Sequence, residues 1–168
     1  VTEQTPNETV TSSEESDMSA EMCAPEYETP VSIGKPYSGT KADAAYEDTF
    51  GTELTDGLYA EDDKGYGDPK WSNYGRPDPV TFTIDLGENC ERLYKFEVSY
   101  YHELGPGIGA PQNITVYGSD DNNEKTSGWN RLCRMSADAT AETGAYRISA
   151  TLDAPVSYRY IRFTMNHY

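Results

Sequence analysis

An all-β, antiparallel sandwich or barrel is predicted by three observations. Val80, Phe82, Ile84 and Leu86 alternate strictly with Thr81, Thr83 and Asp85, which gives a strand one apolar and one polar face. Tyr94, Phe96, Val98 and Tyr100 repeat the pattern against Lys95, Glu97 and Ser99. Turn-forming Gly, Pro, Asn and Asp punctuate the chain at short intervals, with almost no 3.6-residue periodicity between them.

Taken in order, the first strand is expected at Pro30-Val31-Ser32-Ile33, stopped by Gly34 and Pro36, and one helical turn at 42–48. The central strand follows at 80–86. A Gly87-Glu88-Asn89 turn then predicts that residues 94–100 return as its hairpin partner. Ile114 and Val116 extend the core, and a polar turn covers 119–127. Tyr146, Ile148, Ala150 and Leu152 alternate with Arg147, Ser149 and Thr151, and Ile161, Phe163 and Met165 form the last strand face.

Residues 1–30 differ from the rest. They hold Glu3, Glu8, Glu14, Glu15, Asp17, Glu21, Glu26 and Glu28 with no Lys or Arg, so this segment supplies −8 of the chain's −16. Its few apolar residues show no period and bury too little surface to offset ordering entropy, which predicts a disordered acidic linker ahead of a domain at 31–168. Its Thr, Ser and Pro content suits a spacer between modules of a secreted protein, or any acidic tail.

The net charge of −16 argues against nucleic acid or an anionic membrane as partner, because their phosphates would be repelled. No run of eighteen apolar residues occurs, and the first residues show no basic-then-apolar signal segment. The expectation is a mature chain or an excised fragment of an exported parent, located outside the cell. With 36% hydrophobic residues but 14 Tyr and 2 Trp, large amphipathic rings must supply much of the buried area. Cys23, Cys90 and Cys133 have no metal-type spacing; Cys90 and Cys133 either pair or stay thiols.

Leu54-Thr55-Asp56-Gly57, a Trp after a loop at Trp71, the strand Val80-Thr81-Phe82-Thr83-Ile84-Asp85-Leu86-Gly87, Gly107-Ile108-Gly109-Ala110-Pro111 and Ile114-Thr115-Val116-Tyr117-Gly118-Ser119-Asp120-Asp121 occur in that order. With the closing Tyr158-Arg159-Tyr160-Ile161-Arg162-Phe163, this series resembles the discoidin, or coagulation-factor C-type, domains, including family 32 carbohydrate-binding modules, over residues 31–168. The resemblance implies a galactose-binding-like antiparallel jelly-roll sandwich that binds ligand without catalysis. It also implies a further strand after the Arg-Phe strand, so the expectation is a domain that is truncated at this point or completed by residues outside this chain.

By the same resemblance, ligand docks at the loop after the second strand, where Tyr101 and His102 are either ligand contacts or a packing Tyr and a surface His; Tyr66, Tyr74 and Arg76, which bracket Trp71 in the preceding loop, are the candidates to complete the rim. A ring beside His or Arg suits a hexose, whose C–H face stacks while its hydroxyls meet fixed donors and acceptors. Trp71 and Trp129 are expected to pack. The resemblance assigns a structural calcium to Asp56, with Glu53 and Leu54 offering carbonyls and Asp68 a second carboxylate. Asp62 and Asp63 add to this acidic loop; without metal, Asp56 would cap the Asp-Gly turn.

Three function classes compete. The first is a noncatalytic carbohydrate-binding module, working beside other modules of the same parent protein and binding a glycan or oligosaccharide. The second is an adhesion or scaffold domain for a protein partner. An enzyme is third, since the chain has no nucleophile-elbow, zinc-protease, phosphate-loop or dinucleotide motif and only two histidines.

Overall fold

The computed structural model describes residues 29–75, 79–123 and 127–166, without the side chains of Asp62 and Asp63. Five strands form: β1 (Tyr37–Gly39), β2 (Val80–His102), β3 (Gln112–Ser119), β4 (Asn130–Met135) and β5 (Gly144–Asn166). All pairings are antiparallel, in the order β1-β2-β5-β3-β4. The all-β antiparallel class expected from alternation is therefore the observed one. The linker expected at 1–30 lies almost wholly outside the described residues, as does Cys23.

The long strands β2 and β5, of 23 residues each, organise the molecule. They pair along their whole length, with register shifts between Asp85 and Lys95. Before the shifts, residues 80–85 lie beside 160–165 within the five-stranded layer; after them, residues 95–102 and 144–151 form a two-stranded arm. The arm folds over the layer. Phe96 of the arm meets Phe163 of the layer edge-on at 6.4 Å, and Leu93 and Phe96 share one core with Leu86, Ile114, Val116 and Ile161.

This corrects the expected hairpin, because residues 80–86 and 94–100 do not pair with each other; both pair with β5. The turn chemistry at Gly87 is present but local. Gly87 adopts a left-handed φ of 88°, and its N–H donates to Asp85 Oδ1 at 2.8 Å. The result is an irregular bend in one strand, of the kind bulges produce, rather than a chain reversal.

Two N-terminal expectations also change. Residues 30–33 form turns, with the Ile33 N–H donating to Pro30 O at 3.2 Å and the Lys35 N–H to Ser32 O at 3.0 Å. Pro30 has no N–H for a ladder, and Gly34 takes a φ of 69° that ends extended backbone, so pairing starts only at Tyr37. The helical turn expected at 42–48 is a single turn closed by Tyr46 N–H on Asp43 O at 3.0 Å, followed by a 3₁₀ turn at Thr49–Gly51. Cys90 and Cys133 are unpaired thiols, and burial pushes that of Cys133 up.

Candidate functional site

The loops between β1 and β2 carry aromatic residues that gather against the far end of β2. Tyr101 contacts Trp71 at 6.0 Å and Tyr66 at 6.4 Å, and Tyr66 contacts Tyr46 at 6.2 Å, measured between ring centroids. The interplanar angles run from 52° to 71°, so the rings form a tilted row with edges and faces both presented. Tyr46 and Tyr66 are 40% and 37% exposed, so the row has an inner end at Trp71 and an outer end in solvent. All four rings line a cavity of about 1260 Å³ that runs between these loops and the arm. Nearby, the Arg147 guanidinium lies 3.5 Å over the Tyr59 ring.

A second cluster fixes the loops beneath the row. The Asp48 carboxylate accepts hydrogen bonds from the Tyr37 and Tyr74 hydroxyls, the latter at 3.2 Å, and from the Glu53 N–H at 3.2 Å. Burial opposes the charge on Asp48, but the hydrogen bonds from Glu53, Tyr37 and Tyr74 outweigh it and hold the group below the ordinary carboxylate range. Burial, and then the hydrogen bond to Asp48, push Glu53 up. Burial and the neighbouring carboxylate raise the Tyr37 and Tyr74 hydroxyls, which therefore stay protonated donors.

The structure brings together Tyr66 and Tyr101 of the sequence-predicted rim and separates the others. Tyr74 packs its ring on Phe82 at 4.6 Å and its hydroxyl on Asp48, so it supports the loops. Arg76 lies outside the described residues. His102 is the clearest correction: it ends β2, is 1% exposed, and lines no part of the cavity. The alternation through Phe96, Val98 and Tyr100 simply continues to His102 and turns it inward, while Tyr101 takes the opposite face. The sequence signal for this was present in the parity of the strand.

The acidic loop is organised by N–H donors. Asp56 Oδ1 accepts from the Leu58 N–H at 2.7 Å, which is the turn-capping arrangement. Asp68 is buried; it accepts from the N–H groups of Lys70 at 3.0 Å and Glu61 at 3.4 Å, and the Lys70 amide foremost holds it below the ordinary carboxylate range. Glu53 accepts from the Thr49 N–H at 2.6 Å and the Ser72 hydroxyl at 3.4 Å, and Leu54 is 40% exposed. Among the described residues no three Asp, Glu, His or Cys side chains converge. A cation here would take one carboxylate, that of Asp56, and backbone carbonyls.

Sequence reasoning missed Tyr46, Tyr59 and Asp48, which lie in loops whose residues show no period. Trp129 packs as expected: its Nε1–H donates to Asn123 O at 3.0 Å, and the Arg162 guanidinium lies 3.8 Å over its ring.

No protein-family model matches the chain, and no curated protein matches it. Solved structures do. A mutant lectin-binding domain of lectinolysin complexed with Lewis b aligns at TM-score 0.56 and 18% identity, over 83% of this chain and 87% of that one. Chitosan-binding module 1 from a Paenibacillus chitosanase/glucanase aligns at TM-score 0.54 and 15% identity, over 83% and 88%. The chain has the fold of a carbohydrate-binding module. A fucose-binding module of Streptococcus pneumoniae aligns on the same fold at TM-score 0.52 and 16% identity, over 81% of this chain and 85% of that one. This is the discoidin-like fold that the motif series resembles, and at these identities the likeness is one of fold.

Proposed function

We propose that residues 31–168 form a noncatalytic glycan-binding module of a larger secreted or cell-surface protein. The observation that carries this reading is the ring row Tyr46, Tyr66, Tyr101 and Trp71 along one cavity. Tilted, part-exposed rings offer the C–H faces of a sugar a stacking surface, and the tyrosine hydroxyls at their rims meet the sugar's own hydroxyls. The solved structures of this fold include a lectin domain with Lewis b and modules for chitosan and fucose, which supports a glycan as the ligand class. A site built on a few rings binds weakly, and neighbouring modules on the parent chain supply avidity.

We propose in addition a calcium ion at Asp56, with the backbone carbonyls of Glu53 and Leu54, as the resemblance implies. A single carboxylate places it among weak sites, at about 10⁻⁴ to 10⁻³ M. The decisive experiment for the module is a glycan array probed with the chain and with Tyr66→Ala. Saturable binding of a glycan class that the variant loses supports the reading. Absence of any glycan binding overturns it and favours the adhesion domain with a protein partner.

A further inference from the structure

A second cavity, of about 340 Å³, lies between residues 59–61 and the arm, and shares Tyr59, Trp71 and Ser99 as walls with the cavity of the ring row. Its lining also includes Glu61, Tyr146 and Arg147. The volume is at the lower end of ligand pockets, which span about 300–1,000 Å³, and suits one small unit of a ligand rather than a chain. Register puts Arg147 on this side of the arm. Arg147 pairs across β2 and β5 with Ser99, as Ser149 does with Glu97, so these four share the face opposite to Phe96, Val98 and Ile148. The loop crosses that face: the Tyr59 hydroxyl donates to Glu97 Oε1 at 3.5 Å, and the Tyr59 ring carries the Arg147 guanidinium at 3.5 Å. A guanidinium stacked on a ring keeps its edge, which bears all its N–H donors, open to a planar acceptor. Among the described residues no carboxylate or other acceptor takes those donors; the ion pairs there use Lys64, Lys95 and Arg159. The two described carboxylates closest to the ring have cations of their own, Glu61 pairing with Lys64 at 3.4 Å and Glu97 with Lys95 at 3.5 Å. The chain's −16 does not decide the sign here, because half of it lies in residues 1–30 and exposed charges beyond about 8 Å are largely screened at physiological salt.

We propose that this second cavity is a subsite for the carboxylate of an acidic sugar, a uronate or a sialate, linked in one ligand to the sugar on the ring row. The subsite presupposes the glycan reading of that row, with which it shares the Trp71 wall. Arg147 would hold the carboxylate through two parallel N–H···O bonds, a geometry that a lysine cannot supply. The Tyr59 ring sets the plane of the guanidinium in advance, so little side-chain freedom is lost when the acid arrives. Ser99, opposite Arg147 in the register, would offer its hydroxyl to the same sugar.

The experiment titrates the chain, Arg147→Gln, Arg147→Lys and Tyr66→Ala against uronate-terminated and sialate-terminated oligosaccharides. Each is measured beside its carboxyl-reduced counterpart, in which a primary alcohol replaces the carboxylate. The expected result is that one of the two acid classes binds at least about tenfold more tightly than its reduced form. Arg147→Gln should bring acid and reduced forms to equal affinity with the fold intact by thermal melting, and Arg147→Lys should keep only part of the preference. Tyr66→Ala should weaken both forms by the same factor, since both retain the sugar on the ring row. Equal affinity of the unmodified chain for acid and reduced forms overturns the subsite and leaves the glycan module standing. A preference that survives Arg147→Gln also overturns it, placing the carboxylate at other residues. Binding of neither form overturns the subsite as well; the module reading survives if a neutral glycan class on the array binds and is lost in Tyr66→Ala, and falls with it if none binds.

Discussion

Arg159 grips Asp85 with both ends of its guanidinium, Nε–H to Oδ1 at 2.8 Å and Nη2–H to Oδ2 at 2.9 Å, just where the β2–β5 register begins to slip. The Arg159 N–H also donates to Asp120 Oδ1 at 3.2 Å, and Asn89 Nδ2–H reaches the same oxygen at 2.9 Å, so the bend is tied from both strands. The Arg159 hydrogen bonds foremost hold the Asp85 carboxyl below the ordinary range. A carboxyl lowered in the folded state adds stability above its unfolded value, about pH 4, and that contribution is lost as pH falls through the folded value. Asp85→Asn should therefore melt a few degrees lower at neutral pH and show a shallower loss of melting temperature below about pH 4. Parallel acid melting curves for the two proteins would contradict this.

Gly118 sits in β3 between Ile161 of β5 and Asn130 of β4, so its backbone is held on both sides. A Cβ placed there would stand 2.3 Å from Cδ2 and 2.6 Å from Cγ of the Tyr158 ring. Gly118→Ala is expected to cost about 1–3 kcal/mol by urea denaturation, the range for forcing an extra carbon into packed surroundings. Combining it with Tyr158→Ala should recover part of that loss. Strictly additive effects would place the strain elsewhere.

The ring row and His102 separate binding from stability. Tyr66→Ala, at an exposed position, should weaken glycan binding by about 1–2 kcal/mol at an unchanged melting temperature. Tyr101→Ala removes both a binding ring and the contact with Trp71, so binding and stability should fall together. His102→Ala should cost about 2 kcal/mol of stability and leave glycan affinity as it was, because the residue is buried away from the cavity. Loss of affinity in folded His102→Ala would return His102 to the site.

Period-two alternation made the strand faces legible: Phe82 and Leu86, Phe96, Ile114 and Val116, and Ile161 are all buried. What misled was punctuation. Gly87 and Asn89 carry turn chemistry, yet a glycine in left-handed backbone serves a bend inside one strand as well as a hairpin, and only the distant partner β5 decides between them. Ending the strand at Tyr100 instead of continuing its parity put His102 on the rim. The Asp48 cluster, joining residues 37, 48 and 74, and the ring row, joining 46, 66, 71 and 101, depend on how aperiodic loops fold back on β2, for which local sequence holds no signal.

A calcium ion at Asp56 would bind weakly. Asp56 already receives the Leu58 N–H, and the carboxylates of Glu53 and Asp68 are held by other donors, so among the described side chains an ion would gain one charged ligand. With dissociation at about 1 mM, 10 mM calcium should stabilise the folded chain by about 1.4 kcal/mol relative to chelator, and micromolar calcium should do nothing. Asp56→Asn keeps an oxygen for the Leu58 N–H while removing the charge, so it should preserve the turn and abolish the calcium response. A melting temperature that is the same in chelator and in 10 mM calcium removes the ion from this loop. A response that survives Asp56→Asn places it at other residues.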